Sequence, residues 1–537
     1  MNLGDNIFHF DKVEVKTIKD ILKNIKLNKA AGIDNISGRF LKDGSNALAT
    51  PIAQVCNLSI KLSTVPDACK IAKLKTLYKK GNKTEPKNYR PISLLPLISK
   101  ILEKVIHDQP MEFVTKHHLL YKFQSGFRKL HSTDSCLSFL QDKIAKGFDS
   151  GLMTGMILID LQKAFDTIDH EILINKMKCM GFSREVTKWF ENYLSNRVFT
   201  VNIEKSFSIK ALITCGVPQG SILGPLLFLL YVNDMVQAVN CDLLLYADDS
   251  GLIFQHKDIK NIEKQLNENF SSICDWFVDN KLSIHFGEDK TKSILFAPIN
   301  KCRKNSNKLN ISYGSIQIKQ YSKVTYLGCI LDESLSGEPM ALNVISKLNT
   351  RLKFLYRKNR FLTPRLRRML CNALIQPHFD YACSVWYPNL NKRIKNKLQT
   401  LQNKCIRFCL SLDDRTHVGF AEFDKINWLP VDYRFRQCLS TNAFKFFEDK
   451  CPLYMKDVFD KSRLNQMSTR NSTKKLSQPL RRSNIGQNCI SFLTPSVWNN
   501  MPNYLKNCEN INTFKHKVKD HFFEILKRQD NDIYYYI

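Results

Sequence analysis

Three aspartates in this 537-residue chain have the type and setting of groups that hold cations. Two of them, Asp248 and Asp249, stand side by side in LLLYADDSGLIF, an otherwise apolar run from 243 to 254. Two unit charges about 4 Å apart repel by roughly 1 kcal/mol in water and about 4 kcal/mol at an effective dielectric near 20. Such a pair gains nothing structural in an apolar setting, so a positive partner is expected there. The third, Asp160, closes the short apolar run GMILID at 155–160. A pair of divalent ions about 3.5 to 4 Å apart needs two or three carboxylates converging from different strands. Asp160 and Asp248 are 88 positions apart, so only a shared sheet can bring them together. Taken singly, each has an ordinary alternative: an Asp at a strand end caps a helix, and two in a turn are solvated.

The elements that must position these groups follow from periodicity. GMILID reads as a buried strand, and LQKAFDTIDHEILINKMKCMG after it has helical period and stops at Gly181. RVFTVNI and IKALITCG read as strands, GVPQGS as a Gly/Pro loop, and SILGPLLFLLYVNDM as a buried helix. DLLLYADDSGLIF is expected to form two short strands around a turn, followed by a helix over about 258–280 and a strand at KTKSILFAP. Upstream, the basic, Pro-bounded segment 79–91 reads as a loop, and ISLLPLISKILEKVI as apolar helix. Ser132-Thr133-Asp134 reads as a helix start. Strands alternating with helices around an antiparallel hairpin predict an α+β domain. From 340 onward the pattern is almost wholly helical. The expected organisation is a helical extension over 1–57, the α+β domain over 58–331, basic helices over 332–420 and a helical region of unread role over 421–537.

Composition narrows the partners. Hydrophobic residues make up 43% and charged ones 24%, but 80 Lys plus Arg against 50 Asp plus Glu leave a net charge of +30. That surplus points to a polyanion, with nucleic acid ahead of an anionic membrane. Between Arg351 and Arg407 there are 14 Lys plus Arg and one acid, Asp380. Seventeen cysteines with no C-x-x-C pair read as free, buried thiols in a reducing compartment. The amino terminus lacks a basic start and an apolar block, and the longest apolar stretch, PLLFLLYV at 225–232, is too short to span a bilayer. A soluble intracellular protein is expected, nuclear or cytoplasmic.

GMILIDLQKAFDTIDH, CGVPQGSILGPLLFLLYVNDM and LLLYADDSGLIF, in this order and spacing, resemble the central motifs of reverse transcriptases. The particular similarity is to the polymerases of non-LTR retrotransposons of the jockey and chicken-repeat type. KNYRPISLLP, QSGFRKLHSTDSC, WFVDNKLSIHFGEDKTKSILF and YLGCILD extend it over roughly residues 20 to 420. The resemblance implies a right-hand fold of fingers, palm and thumb that copies an RNA template onto a DNA primer from deoxynucleoside triphosphates. It implies two Mg²⁺ ions (or Mn²⁺) on Asp160, Asp248 and Asp249. Phe165 matches the aromatic wall under the incoming sugar, and Gln219 the residue facing the nucleotide. Arg90 and one of Lys79 or Lys80 match phosphate-gripping fingers residues, and Lys290 a lysine near the leaving pyrophosphate. A solvated charge is the ordinary alternative for Arg90 and the lysines, as helix core is for Phe165. Asp166 and His170 read as structural.

Arg351, Arg357, Lys358, Arg365 and Arg368 are expected to hold template and primer by their phosphates. Two positions depart from the family: Ser250 replaces a usual Thr, and Ala31 stands where Pro is common. Full-length elements of this kind resemble proteins with an apurinic-type endonuclease before the polymerase. Here the first polymerase motif arrives within a hundred residues of Met1, so target nicking is expected to need an endonuclease not encoded in this chain. An intron maturase-type enzyme and a decayed copy that only binds RNA are the alternative readings.

Overall fold

The computed structural model describes residues 7–204, 206–287, 289–298, 308–459 and 475–534. In chain order, α1 (Val15–Lys23), α2 (Gly38–Asp43) and α3 (Ser45–Leu62) precede β1 (Ile71–Tyr78), β2 (Tyr89–Leu94) and α4 (Leu97–Lys116). α5 (Thr133–Asp149) leads into β3 (Met153–Ile159), and α6 (His170–Cys179) with α7 (Arg184–Leu194) into β4 (Arg197–Ile203), β5 (Ser206–Phe207) and β6 (Ala211–Ile213). Next come α8 (Leu223–Val232), β7 (Asp242–Tyr246), β8 (Asp249–His256), α9 (Ile259–Asp279) and β9 (Lys292–Phe296). Two small hairpins follow, β10 (Ile311–Tyr313) with β11 (Ile316–Ile318) and β12 (Lys323–Tyr326) with β13 (Cys329–Asp332). The helices beyond them include α10 (Glu338–Arg357), α11 (Pro364–Leu374), α12 (Gln376–Asp380), α13 (Lys392–Leu410), α14 (Val431–Phe447), α15 (Ile490–Asn499) and α16 (Ile511–Tyr534). The chain is α+β.

It condenses into two compact units that do not follow chain order. The first takes the described parts of residues 1–127, 159–240 and 269–287. Its sheet runs β2-β1-β4-β5, with β6 also on β4; β1 and β4 pair in parallel and the other pairs are antiparallel. α8 is buried all round, which is why its sequence is apolar on every face. The segment expected as an N-terminal extension is part of this core. Ile18 and Leu22 of α1 are fully buried, and Phe8 packs its ring against Phe10, Phe113 and Phe182.

The second unit takes the described parts of 128–158, 241–268 and 288–537. Its sheet runs β7-β8-β3-β9, with β7–β8 and β3–β9 antiparallel. Every residue of β3 is buried, as an unbroken apolar strand requires. A Cβ built on Gly251 of β8 would come 2.5 Å from Met156 Cε of β3, and one on Gly155 of β3 would come 2.4 Å from Ile262 of α9. Glycine at both places lets the strands and helix close. Ser132 caps α5 through a capping box with Ser135, so the predicted helix start is where it was expected.

Two predicted elements are corrected. ISL of ISLLPLIS is the end of β2, and α4 begins only at Leu97, because Pro91 and Pro96 disfavour helix at the residues before them. Pro91 is tolerated in a strand because β2 lies at the sheet edge. The helix expected directly after Asp160 starts at His170 instead, where Asp169 caps it by accepting from Ile172 N at 3.0 Å. Phe165 therefore lies in a turn, not on the first turn of a helix.

Candidate active site

In the second unit, the residues between β7 and β8 are Ala247 and Asp248, and Asp249 opens β8 opposite Tyr246. Ala247 has φ 56°, a left-handed conformation that costs an L residue roughly 1–2 kcal/mol. Asp248 and Asp249 are both exposed, while Leu243, Leu244 and Leu245 before them are buried. The tight turn thus pushes both carboxylates out of an apolar hairpin. β3 is the neighbour of β8, and its last residue, Ile159, is followed in the chain by Asp160. Lys292 of β9 pairs with Leu158 of β3, and the half-buried Lys290 lies two residues before it.

Among the described residues no three His, Cys, Asp or Glu side chains gather as a ready-made cage for an ion. Mg²⁺ does not require one: it is held by one or two carboxylates, and water and substrate phosphates fill the rest of its octahedron. Two exposed, adjacent carboxylates on a rigid turn fit that kind of metal.

In the first unit, the half-buried Asp160 accepts a hydrogen bond on its backbone oxygen from His285 N at 2.8 Å, and Leu161 pairs with Ile284. The turn that follows is locked onto the Gly/Pro loop. Gly216 N donates to Ile168 O and Val217 N to Phe165 O, both at 2.8 Å. Gly216 has φ 80°, and a Cβ there would overlap the Asp166 backbone at 2.6 Å, so glycine is required twice over. Gln219 donates its side-chain N–H to Asp166 Oδ1 at 2.9 Å, and its carbonyl accepts from Ser93 N of β2 at 2.8 Å. Burial raises the Asp166 carboxyl above its ordinary range, against the pull of Gln219 and Lys163. The structural role expected for Asp166 and His170 has its partners here: His170 Nε2 lies 2.8 Å from Gly216 O. Phe165 is half-buried, stacked on Phe228 with centroids 4.8 Å apart and set edge-on to Phe127.

Sequence reading missed the group that seats this loop from below. Glu103 of α4 is 1% exposed and accepts from Ile222 N at 2.7 Å and from Tyr193 Oη at 2.8 Å. Burial pushes its carboxyl up, opposed by those bonds and by Arg197 and Lys100. The only signal in the sequence was an acid inside an apolar helix.

The loop between β1 and β2 is stapled on itself: Tyr78 Oη donates to Gly81 O at 2.5 Å and Tyr89 Oη to Lys83 O at 2.8 Å. Lys80 is exposed on it, and Arg90, expected in a loop, is exposed on β2, paired with Leu77 of β1. In the second unit, Arg357, Lys358, Arg365 and Arg368 are exposed around the end of α10 and on α11. Arg351 differs from them. It is half-buried, donating to Leu374 O at 2.5 Å and lying against His378. Arg367 is committed as well, to Ser411 Oγ at 2.6 Å and to Leu362 O at 3.0 Å.

Residues 78–331 match the family described as Reverse transcriptase (RNA-dependent DNA polymerase). Over 414 residues the chain is 29% identical to the probable RNA-directed DNA polymerase from transposon BS of Drosophila melanogaster, covering 74% of this chain and 44% of that protein. It is 27% identical to the corresponding polymerase from transposon X-element of Drosophila melanogaster over 73% of the chain and 43% of the relative. To the RNA-directed DNA polymerase from mobile element jockey of the same organism it is 25% identical, over 74% and 43%. The chain thus spans less than half the length of these curated relatives. No helix among the described residues is long and apolar enough to cross a membrane. The turn with Asp248 and Asp249, the strand before Asp160 and the Gln219 loop all lie inside the stretch that is similar to reverse transcriptases.

Proposed function

We propose that this chain is the RNA-directed DNA polymerase of a non-LTR retrotransposon, extending a DNA primer along an RNA template. The observation that carries the reading is that β3 and β8 are neighbours in one sheet, the first running straight into Asp160 and the second opening at Asp249. In this reading the sheet is the palm of a right hand, the β1–β2 loop belongs to the fingers, and α10 and α11 form the thumb.

Asp160, Asp248 and Asp249 would hold two Mg²⁺ ions. When bound, such ions lower the pKa of an attacking hydroxyl and neutralise charge on the phosphates of the nucleotide. Phosphoryl transfer asks little covalent chemistry of the protein beyond alignment and charge neutralisation. Gln219, held by Asp166 and Ser93, offers a fixed surface to the incoming nucleotide. Phe165, backed by Phe228, offers a flat wall to its sugar. Lys80 from the fingers loop and Arg90 from β2 draw the triphosphate in, and Lys290 stands at the pyrophosphate side. The exposed cations Arg357, Lys358, Arg365 and Arg368 grip the backbone of template and primer.

Primer extension tests this directly. Purified protein with a primed RNA template and dNTPs should make DNA in Mg²⁺ or Mn²⁺ and none in EDTA. Synthesis on neither an RNA nor a DNA template would reject the reading.

A further inference from the structure

The end of α10, the turn at Asn359–Phe361 and the start of α11 leave large apolar side chains in solvent. Phe361 is 71% exposed, Phe354 58%, Met369 56% and Leu366 43%. Single apolar residues scattered over a surface need no explanation. These are interleaved with charge of one sign. Arg357 and Lys358 stand three and four positions after Phe354, and Arg365 four before Met369, so helical spacing sets each apolar group beside a cation. Arg360 lies with its guanidinium 5.6 Å from the centre of the Phe361 ring, within cation–π range. Arg357, Lys358, Arg360, Arg365 and Arg368 are all exposed, and no acidic residue occurs between Glu338 and Asp380 to neutralise them locally.

The turn that carries Phe361 is braced. Arg367 donates to Asn359 O at 3.2 Å and to Leu362 O at 3.0 Å, on either side of Phe361, and ties both to Ser411 Oγ at 2.6 Å. Thr363 caps α11 by accepting from Leu366 N at 3.4 Å, and Pro364 suits its first turn. Tyr356 shows the contrast. Its ring lies 4.9 Å from that of Phe408 and belongs to the packing of α10 on α13. Among the described residues Phe361 meets no other aromatic ring, so both its faces and its support are ready for a ligand. A ring fixed in advance gives up little conformational freedom when something stacks on it.

We infer that this surface binds an unpaired strand of nucleic acid, with the rings of Phe361 and Phe354 stacked on bases and the cations between them on phosphates. Single strands are held by this combination of a positive track and aromatic platforms. A duplex would answer the charge but not the rings, because its bases are already stacked on one another. An anionic lipid surface would take both charge and apolar groups, but helices that lie on membranes keep the two on opposite faces. Here they share a face: Arg357 and Lys358 flank Phe354, and Arg365 flanks Met369. The inference rests on the proposed handling of nucleic acid and adds to it a preference of these helices for strand over duplex.

The test is fluorescence-anisotropy titration of the full chain in EDTA with a labelled oligoribonucleotide, single-stranded or annealed to its complement. Co-sedimentation with vesicles of phosphatidylcholine and phosphatidylserine runs beside it. Phe361→Ala should weaken single-strand binding by about tenfold, the scale of one stacked base, and change duplex binding by less than about twofold. Its plot of log K against log salt should keep the wild-type slope, because no cation is lost. Phe361→Trp should bind as the wild type does, since any large ring stacks. With the ring in solvent, Phe361→Ala should also melt with the wild type, and Phe354→Ala gives a second variant that should lose single-strand binding selectively. Four results would each overturn the inference: no single-strand binding by the wild type, no loss in either alanine variant, equal loss on strand and duplex, or loss confined to the vesicles. Primer extension by the wild-type preparation reports separately on the polymerase reading, which stands or falls without this surface preference.

Discussion

The turn bearing Asp248 and Asp249 and the loop bearing Gln219 are built in opposite ways. The turn is two residues long, carries its carboxylates in solvent and is supported by the strands on either side. The loop is tied at almost every residue: Gly216 and Val217 to the turn before α6, Gln219 to Asp166 and Ser93, and Ile222 to Glu103. On the proposed reading, the difference follows from what each would meet. A carboxylate that receives a cation has to keep lone pairs accessible, so it is left in water on a stiff support. A surface that selects a nucleotide by shape has to hold still, so its own polar groups are used to anchor it. Function at the turn should therefore be separable from stability, and at the loop it should not.

The sharpest break is Asp248→Asn. Primer extension should fall by about a hundredfold or more, since the proposed metal site would lose one ligand charge. The melting temperature should hold or rise, because a like-charge pair has been relieved. Wild-type extension by this variant would remove Asp248 from the chemistry.

Phe165 tests the shape-selecting side. On the proposed reading a 2′-hydroxyl would overlap its ring, and overpacking by one group costs typically about 1 to 3 kcal/mol, with each 1.36 kcal/mol worth tenfold in rate. Phe165→Ala should raise the kcat/KM ratio for UTP over dTTP on a poly-A template by roughly ten- to a hundredfold, and Phe165→Tyr should leave it low. An unchanged ratio with lost stability would make Phe165 a packing residue only.

At Gly216 activity and stability should fall together. A methyl there meets the Asp166 backbone and strains a left-handed φ. Gly216→Ala should destabilise by about 2 kcal/mol or more, read by denaturant unfolding, with extension reduced in parallel.

The distinction between exposed and committed groups also divides the basic helices. Replacing Arg357, Lys358, Arg365 and Arg368 by Gln should flatten the plot of log K against log salt for template–primer binding. On a B-form scale the slope should change by about 0.9 for each phosphate no longer neutralised. Arg367→Gln, which gives up the bonds to Ser411 and Leu362, should lower stability and keep the slope.

The smallest effect is expected at Glu103. Its carboxyl is raised by burial, so the folded state favours the protonated form, and that stabilisation is lost as pH rises from the ordinary glutamate range through the folded-state value. Against Glu103→Gln, the wild type should lose stability with rising pH by no more than about tenfold in the unfolding constant per pH unit. A parallel pH dependence in both proteins would rule out Glu103 as the titrating group.

Much of this was legible in the chain itself. The β7–β8 hairpin, β3, α8 and the long helix α9 fall where apolar runs and periodicity put them, because each buries a continuous apolar surface that only one conformation can hide. The places that misled were those where tertiary partners override local pattern. The segment from Leu161 to Asp169 has helical spacing, yet Leu161 pairs with Ile284, and Phe165 and Ile168 hand their carbonyls to the Gly/Pro loop. Those bonds take the place of a helical turn. Glu103 could not be read, since its partners Tyr193 and Ile222 lie 90 and 119 positions away.

What the sequence determined by itself is the inventory: three aspartates in apolar settings, an aromatic and a glutamine at fixed distances from them, and a net charge that asks for a polyanion. These are properties of residue type and local spacing, so they survive without a fold. The tertiary structure alone decided which strands became neighbours and which side chains were drawn into bonds. It put β3 beside β8, turned Arg351 and Arg367 inward while leaving Arg357 and Arg365 outside, and left the amide of Gln376 without a partner among the described residues. Those outcomes depend on packing between residues far apart in the chain, and no local pattern encodes which distant partner a side chain will meet.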